Sequence, residues 1–353
     1  MSYRILVGSY SDQVYTLSFD PNIPSLSLVS SVTVGHHPSW LTPHPKDLSL
    51  VFAGVEQSDG KIVALKFDES GKGIIVGELP SGGADPCTLL ATGDQLLVAN
   101  YSSGTLTAIP LSSDPPFLTP SGNSILRFTG SGPDRERQEA SHPHQVILHP
   151  DRDELLVPDL GSDKTRRLAR AQGGSWEVRG ELQYTPGSGP RHIAFYKDII
   201  YTLLELSNEI SAHRFPPLPE MPTLITSVPT MRKFPPEPAR SQMLGAEILI
   251  PSPNNSFPHP YIYASNRNDP SPEGDTISIY SIADPTKLEP VNEVKSGLRH
   301  LRGMLFGGPN DKYLVAGGAN GGGVKVFERI DGGKGLRELA AVNVLAPTGF
   351  LWV

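Results

Sequence analysis

Residues 37–68 read HPSWLTPHPKDLSLVFAGVEQSDGKIVALKFD. An apolar run is followed by a turn, a second apolar run, a Gly-containing turn and a third run that alternates. The same grammar returns at residues 85–111 (DPCTLLATGDQLLVANYSSGTLTAIPL) and 142–169 (HPHQVILHPDRDELLVPDLGSDKTRRLA). It returns again at residues 189–215 (GPRHIAFYKDIIYTLLELSNEISAHRF), 246–282 (AEILIPSPNNSFPHPYIYASNRNDPSPEGDTISIYSI) and 301–329 (LRGMLFGGPNDKYLVAGGANGGGVKVFER). Stretches such as Ile277-Ser-Ile-Tyr and Val324-Lys-Val-Phe have the period of two that a strand requires. A repeat of about 45–60 residues belongs to propeller blades rather than to helical solenoids.

Six copies are complete. A seventh, ILVGSYSDQVYTLSFD at residues 5–20, lacks its first strand, while the chain ends on the orphan run Gly349-Phe-Leu-Trp-Val353. The expected fold is therefore all-β, a seven-bladed propeller of residues 1–353 in a single domain. The C-terminal strand would join the N-terminal blade and leave few open edges. Two stretches interrupt the period: a charged one over residues 127–141 and a Pro-rich one over residues 213–245, where FPPLPEMP and KFPPEPAR occur.

Composition agrees. With 353 residues the chain exceeds what one conventional core supports, so a single domain needs core added by repetition. Its 35 Gly and 35 Pro punctuate it too often for long helices but suit short strands and turns. A formal charge of −7 without a basic stripe argues against nucleic acid and anionic membrane as partners. The single cysteine, Cys87, excludes an internal disulfide framework and fits a reducing compartment. No run approaches ~18 consecutive apolar residues, and the N-terminal stretch enters a strand pattern at once, so a cytoplasmic location is expected.

Aligning the copies separates blade grammar from departures. The first strands open at Ser39, Cys87, His144, Arg191, Ala246 and Arg302, and the second strands end near Gly54, Asn100, Asp159, Glu205, Asn266 and Gly318, with Arg267 one residue further. Antiparallel neighbours bring the start of one strand beside the end of the next, so these positions are expected on one rim. Glu205 follows the apolar Tyr201-Thr-Leu-Leu, where burial and nearby arginines act oppositely on a carboxylate, a setting suited to a general acid or base. Arg191 and Arg267 suit a carboxylate or phosphate held by forked hydrogen bonds, and His144 suits a proton carrier. Each also has a structural reading: Glu205 closing a polar tunnel with Arg191, His144 as a satisfied channel histidine, the arginines as turn anchors.

Other candidates give way to blade structure. His149 stands in His-Pro-Asp as His44 stands in His-Pro-Lys, at the first turn of a blade. The spacing of His142, His144 and His149 matches no closed metal site, and none is expected. The run GGANGGGV lacks the Gly-Lys-Ser/Thr of a phosphate loop, no Gly-x-Ser-x-Gly elbow is present, and Cys87 reads as packed rather than nucleophilic.

The segments Ser131-Gly-Pro, Arg137-Gln, Ser141-His-Pro-His-Gln, Val157-Pro-Asp-Leu-Gly-Ser-Asp163, Gly189-Pro-Arg-His192, Glu205-Leu and Ser265-Asn-Arg267 together resemble the lactonase family of seven-bladed propellers. That family includes propeller-type 6-phosphogluconolactonases and carboxy-cis,cis-muconate cyclases, and the resemblance spans essentially the whole chain. In the cyclase branch the proposed site is a histidine, two arginines and a glutamate. Carried over, these fall on His144, Arg191, Arg267 and Glu205. Arg137, Gln145, Asp159, Asn266 and Arg302 are the expected substrate-binding residues around them. The Arg137-Gln138 approach and the His-Pro-His-Gln context are closer to the broad lactonase group than to the cyclases.

The resemblance thus implies a lactonase acting on a small anionic or sugar lactone without metal or organic cofactor, with Glu205 and His144 as acid and base in either order. A cycloisomerase that closes the related ring is the alternative enzyme. A propeller serving as a protein-binding platform is the alternative outside enzymes, although the Trp-Asp and Gly-His signatures of scaffold repeats are missing.

Overall fold

A computed structural model describes residues 2–115 and 117–353. It contains seven four-stranded antiparallel sheets, six of them meanders of consecutive strands, which are the blades of a seven-bladed β-propeller. Blades two to seven occupy residues 38–80, 86–127, 147–183, 190–229, 244–295 and 299–342. The first blade places the C-terminal strand Pro347–Trp352 beside Tyr3–Ser9, followed by Gln13–Asp20 and Ser25–Thr33, as the orphan run implied. Among the described residues no helix is long and apolar enough to cross a membrane.

Burial explains the strand patterns. The second strands, such as Gln95–Asn100 and Ile199–Leu204, are buried throughout, because sheets pack on both of their faces. Outer strands such as Ser25–Thr33 and Thr223–Pro229 are mostly exposed. The latter was not legible: residues 213–245 form no continuous connection but contain this outer strand of blade five and the short helix Ala239–Gln242. Pro222 before it and Pro229 as its last residue disguise it.

The chain divides into two compact units. One comprises the residues up to Ile5, Leu17–Leu28 and His192–Trp352; the other comprises Leu6–Thr16, Val29–Arg191 and Val353. Within the second unit, Leu97, Leu106, Leu155, Val157, Leu168 and Trp176 fuse blades three and four into one core, in which Cys87 is packed. Within the first unit, Tyr201, Leu203, Ile248, Ile262 and Tyr280 do the same for blades five and six.

One device recurs before the third strand of each of several blades. Gly104, Asp163 and Asn208 adopt left-handed backbone conformations there. Their carbonyls accept the N–H of Phe128 (2.8 Å), Tyr184 (2.9 Å) and Thr230 (2.8 Å) as the outer strand ends. Gly60 and Asp275 accept from Ser81 and Ser296 in the same way. Asparagine, aspartate and glycine tolerate the left-handed conformation best, which accounts for the residue types at positions 104, 163 and 208.

Candidate active site

The residues singled out by the repeat lie at irregularities of strand pairing. In blade two, Pro38 pairs with Val55 and Trp40 with Gly54, so Ser39 is an extra residue. Cys87 is extra between Pro86 and Thr88, and Arg302 between Leu301 and Gly303. In blade six, Ala246 and Glu247 together face only Ser265. In blade four Pro143 bridges Asp159 and pairing resumes at Ile147 with Leu156, so residues 144–146 face two partners. A bulge bends the strand and re-aims the extra side chain, so five first strands carry a device that sets their opening residue apart from the ladder.

In the unit spanning Val29–Arg191, His144 is buried, and its backbone N–H donates to Pro158 (2.8 Å). Gln145 beside it and Arg137 are half-buried. The backbone N–H of Arg137 donates to the Asp134 carboxylate within the charged connection (3.1 Å), which also takes the N–H of Glu136 (3.0 Å). Asp159 is fully buried: its oxygens accept Ser141 Oγ (2.7 Å), the His142 N–H (2.8 Å) and Arg166 Nη2 (3.1 Å). Those contacts make Asp159 a framework group that holds the strand opening at His144.

Arg191 is buried as the second residue of the strand Pro190–Tyr196. The turn that delivers it is fixed by Asp163, whose carboxylate accepts the N–H groups of Gly187 (2.7 Å) and Gly189 (2.8 Å). Gln138, fully buried, donates through Nε2 to both Asp163 Oδ1 and the Leu160 carbonyl (2.8 Å each). The charged connection thus reaches the approach to Arg191 through Gln138. His149, by contrast, accepts the Asp151 N–H at its turn (3.1 Å) just as His44 accepts that of Lys46 (3.2 Å), which is the role its motif implied.

In the unit spanning His192–Trp352, Glu205 directly follows the buried strand Ile199–Leu204, and Arg267 ends the strand Tyr261–Arg267. They form an ion pair, Arg267 Nη2 to Glu205 Oε2 at 2.7 Å, with side chains 3% and 1% exposed. Arg267 Nη2 also donates to the Gly245 carbonyl (2.7 Å), and the Gly245 N–H donates to the Glu205 carbonyl (3.1 Å). One glycine therefore fixes both partners. A Cβ there would press on the Leu203 side chain at 3.2 Å.

Asn266 is fully buried, and its Oδ1 accepts Thr230 Oγ1 (2.7 Å). That bond ties the end of blade five's outer strand to the residue before Arg267. Arg302 is half-buried at its bulge. The residue reading missed a second pair: His192 Nδ1 lies 2.5 Å from Glu247 Oε1, both buried. The Glu247 N–H donates to Ser265 Oγ (3.0 Å). Adjacent charged and imidazole residues in consecutive first strands were the only signal for it.

Among the described residues no group of three or more His, Cys, Asp or Glu is gathered for a metal. Burial and the Arg267 guanidinium act in opposite directions on the Glu205 carboxylate. An ionised carboxylate is the one group of the pair with lone pairs able to accept a proton from water.

A family model described as lactonase, 7-bladed beta-propeller, matches residues 4–352. A probable 6-phosphogluconolactonase of Arthroderma benhamiae is 31% identical over 333 residues, covering 91% of this chain and 81% of that protein. The 6-phosphogluconolactonase of Bacillus subtilis is 27% identical over 336 residues, covering 92% and 90%. Among solved structures, a putative 6-phosphogluconolactonase from Bacteroides fragilis superposes with a TM-score of 0.85 at 27% identity, covering 100% of this chain and 98% of that one.

Proposed function

The chain belongs to the lactonase family of seven-bladed β-propellers, and from that premise we propose that it hydrolyses a small anionic or sugar lactone, 6-phosphogluconolactone being the first substrate to test. The observation that carries the reading is the buried Glu205–Arg267 ion pair. In the reaction proposed, Glu205 takes a proton from water as its oxygen attacks the lactone carbonyl carbon. The carbonyl π electrons move onto oxygen, and the resulting oxyanion is stabilised by guanidinium charge from Arg191 and Arg267. Collapse breaks the ring C–O bond, and His144 protonates the departing alkoxide. The product is a hydroxy acid, and solvent restores the two protonation states.

The assignment of His144 and Arg191 rests on their place in the repeat and on the family resemblance. Arg137, Gln145 and Arg302 are proposed to contact the substrate. Asp159 and Asn266, which we expected in that role, are proposed instead to hold the strand ends that carry it, because their carboxylate and amide oxygens accept from Ser141, His142, Arg166 and Thr230.

The test is a panel of lactones, including 6-phosphogluconolactone and gluconolactone, assayed by acid release with the wild type and Glu205→Gln. Turnover by the wild type that collapses in Glu205→Gln supports the proposal. Turnover unaffected by Glu205→Gln overturns the mechanism. Inactivity on every lactone, with ring closure of a carboxymuconate, reassigns the chain as a cycloisomerase.

A further inference from the structure

His142 is buried and the proposed mechanism does not use it, yet its ring is held at both nitrogens and by a stacked aromatic ring. Nδ1 lies 3.0 Å from the Tyr101 carbonyl oxygen, and Nε2 lies 3.0 Å from Glu139 Oε1. The ring stacks on Tyr101 with centroids 4.4 Å apart and planes at 10°. Tyr101 in turn meets the His144 ring edge-on, at 5.6 Å and 81°. The backbone on both sides is fixed, by the His142 N–H to Asp159 and by the Leu160 N–H to the His142 carbonyl (2.9 Å).

A carbonyl oxygen only accepts, so Nδ1 carries a proton. A carboxylate also only accepts, so the contact at Nε2 needs a second proton, on the ring or on Glu139. A neutral imidazole facing an ionised carboxylate would set two lone pairs against each other at 3.0 Å. The arrangement therefore holds one proton more than a neutral histidine and a carboxylate possess. Partial burial works against the Glu139 carboxylate, but hydrogen bonds from its own backbone N–H and from His142, with the charges of His142 and Arg137, bring it below the usual carboxylate range. With the Glu139 side chain more than half exposed and so hydrated as a carboxylate, the shared proton is assigned to the ring. The charged groups around the ring are Glu139, Arg137 and, through the backbone, Asp159 with its partner Arg166.

We propose that Glu139 and His142 form a proton-sharing dyad that fixes the Tyr101 ring and, through it, the orientation of the His144 imidazole. The two are positioning residues, and this assignment rests on the role given to His144 in the preceding subsection. Because the Glu139 side chain is 56% exposed, removing its charge leaves the core intact. In Glu139→Gln the amide donates to a neutral Nε2, the extra proton is lost, and the stack on Tyr101 is no longer held by charge.

The experiment uses the full chain labelled with 15N-histidine, the His142 resonances being assigned by their loss in His142→Gln. At neutral pH both ring nitrogens of His142 are expected to carry protons in the wild type and only one in Glu139→Gln. The ring resonances of His144 are expected to move in Glu139→Gln and to return in Glu139→Asp. On the lactone that the wild type turns over, Glu139→Gln is expected to lower kcat by about tenfold with KM unchanged. A wild-type His142 with one ring proton, or His144 resonances indifferent to Glu139→Gln, overturns the dyad. If no lactone is turned over, the function proposed above fails while the ring nitrogens and the His144 resonances still decide this proposal.

Discussion

Asp163 reaches beyond its own blade to Gly189: the carboxylate accepts that residue's N–H at 2.8 Å and that of Gly187 at 2.7 Å, immediately before Arg191. Asn208 repeats the gesture one blade on, donating Nδ2 to the Met243 carbonyl at 2.7 Å, two residues before Gly245. The residue that ends one hairpin thus presets the strand opening of the next. In Asp163→Ala those N–H groups and Gln138 lose a buried acceptor, which is expected to cost about 2–3 kcal/mol. Urea unfolding would measure it, and an unchanged midpoint would show that the turn holds itself.

Glu205 and Arg267 are expected to behave asymmetrically in mutation. Glu205→Gln should lower kcat by about 10²–10⁴-fold. Arg267→Met leaves the Glu205 charge buried, with an expected loss of about 3–5 kcal/mol of stability. The double variant should recover part of that loss while remaining inactive. A double-mutant cycle in urea checks the coupling, and strict additivity would mean that the pair does not act as a unit.

His213 supplies a pH dependence of stability. Burial holds its imidazole down to about 4, below the ordinary 6.5. The unfolded chain therefore binds a proton on His213 that the folded chain refuses. The associated stability is complete above pH 6.5 and is lost as the pH falls towards about 4, by up to roughly 3 kcal/mol. His213→Gln should flatten the stability curve across that window, as read from denaturation midpoints at several pH values. A curve parallel to the wild type would count against this assignment.

Gly303 lets the C-terminal strand approach. A Cβ there would stand 1.8 Å from the Thr348 carbonyl oxygen, so Gly303→Ala must push blade seven away from Pro347–Trp352. The expected cost is about 3 kcal/mol. Gly93→Ala, where nothing lies within 4 Å, is the control and should change stability by less than about 0.5 kcal/mol. Equal thermal midpoints for the two variants would show that the joint tolerates displacement.

The blades were legible because turn residues recur at fixed offsets around apolar runs, and because Pro347–Trp352 supplied the strand that residues 5–20 lacked. Thr223–Pro229 was not legible, since its exposed alternation is weak and one proline precedes it while another closes it. Glu205 and Arg267 stood out as departures from the repeat. Their union could not be read, because it depends on Gly245 meeting the Glu205 backbone carbonyl and the Arg267 guanidinium at once, across 62 residues of chain, the difference between 267 and 205. The bulges at Ser39, Cys87 and Arg302 escaped for a related reason: a single extra residue shifts the alternation within a run too short to display the shift.

Those bulges bear on how such a chain changes over generations. A side chain standing outside the ladder can be exchanged without breaking any rung, and serine, cysteine and arginine occupy that place in blades two, three and seven. The scaffold and its chemistry are in this respect separately heritable. New reactivity would therefore be sought first at these few odd residues, with every paired position left as it is.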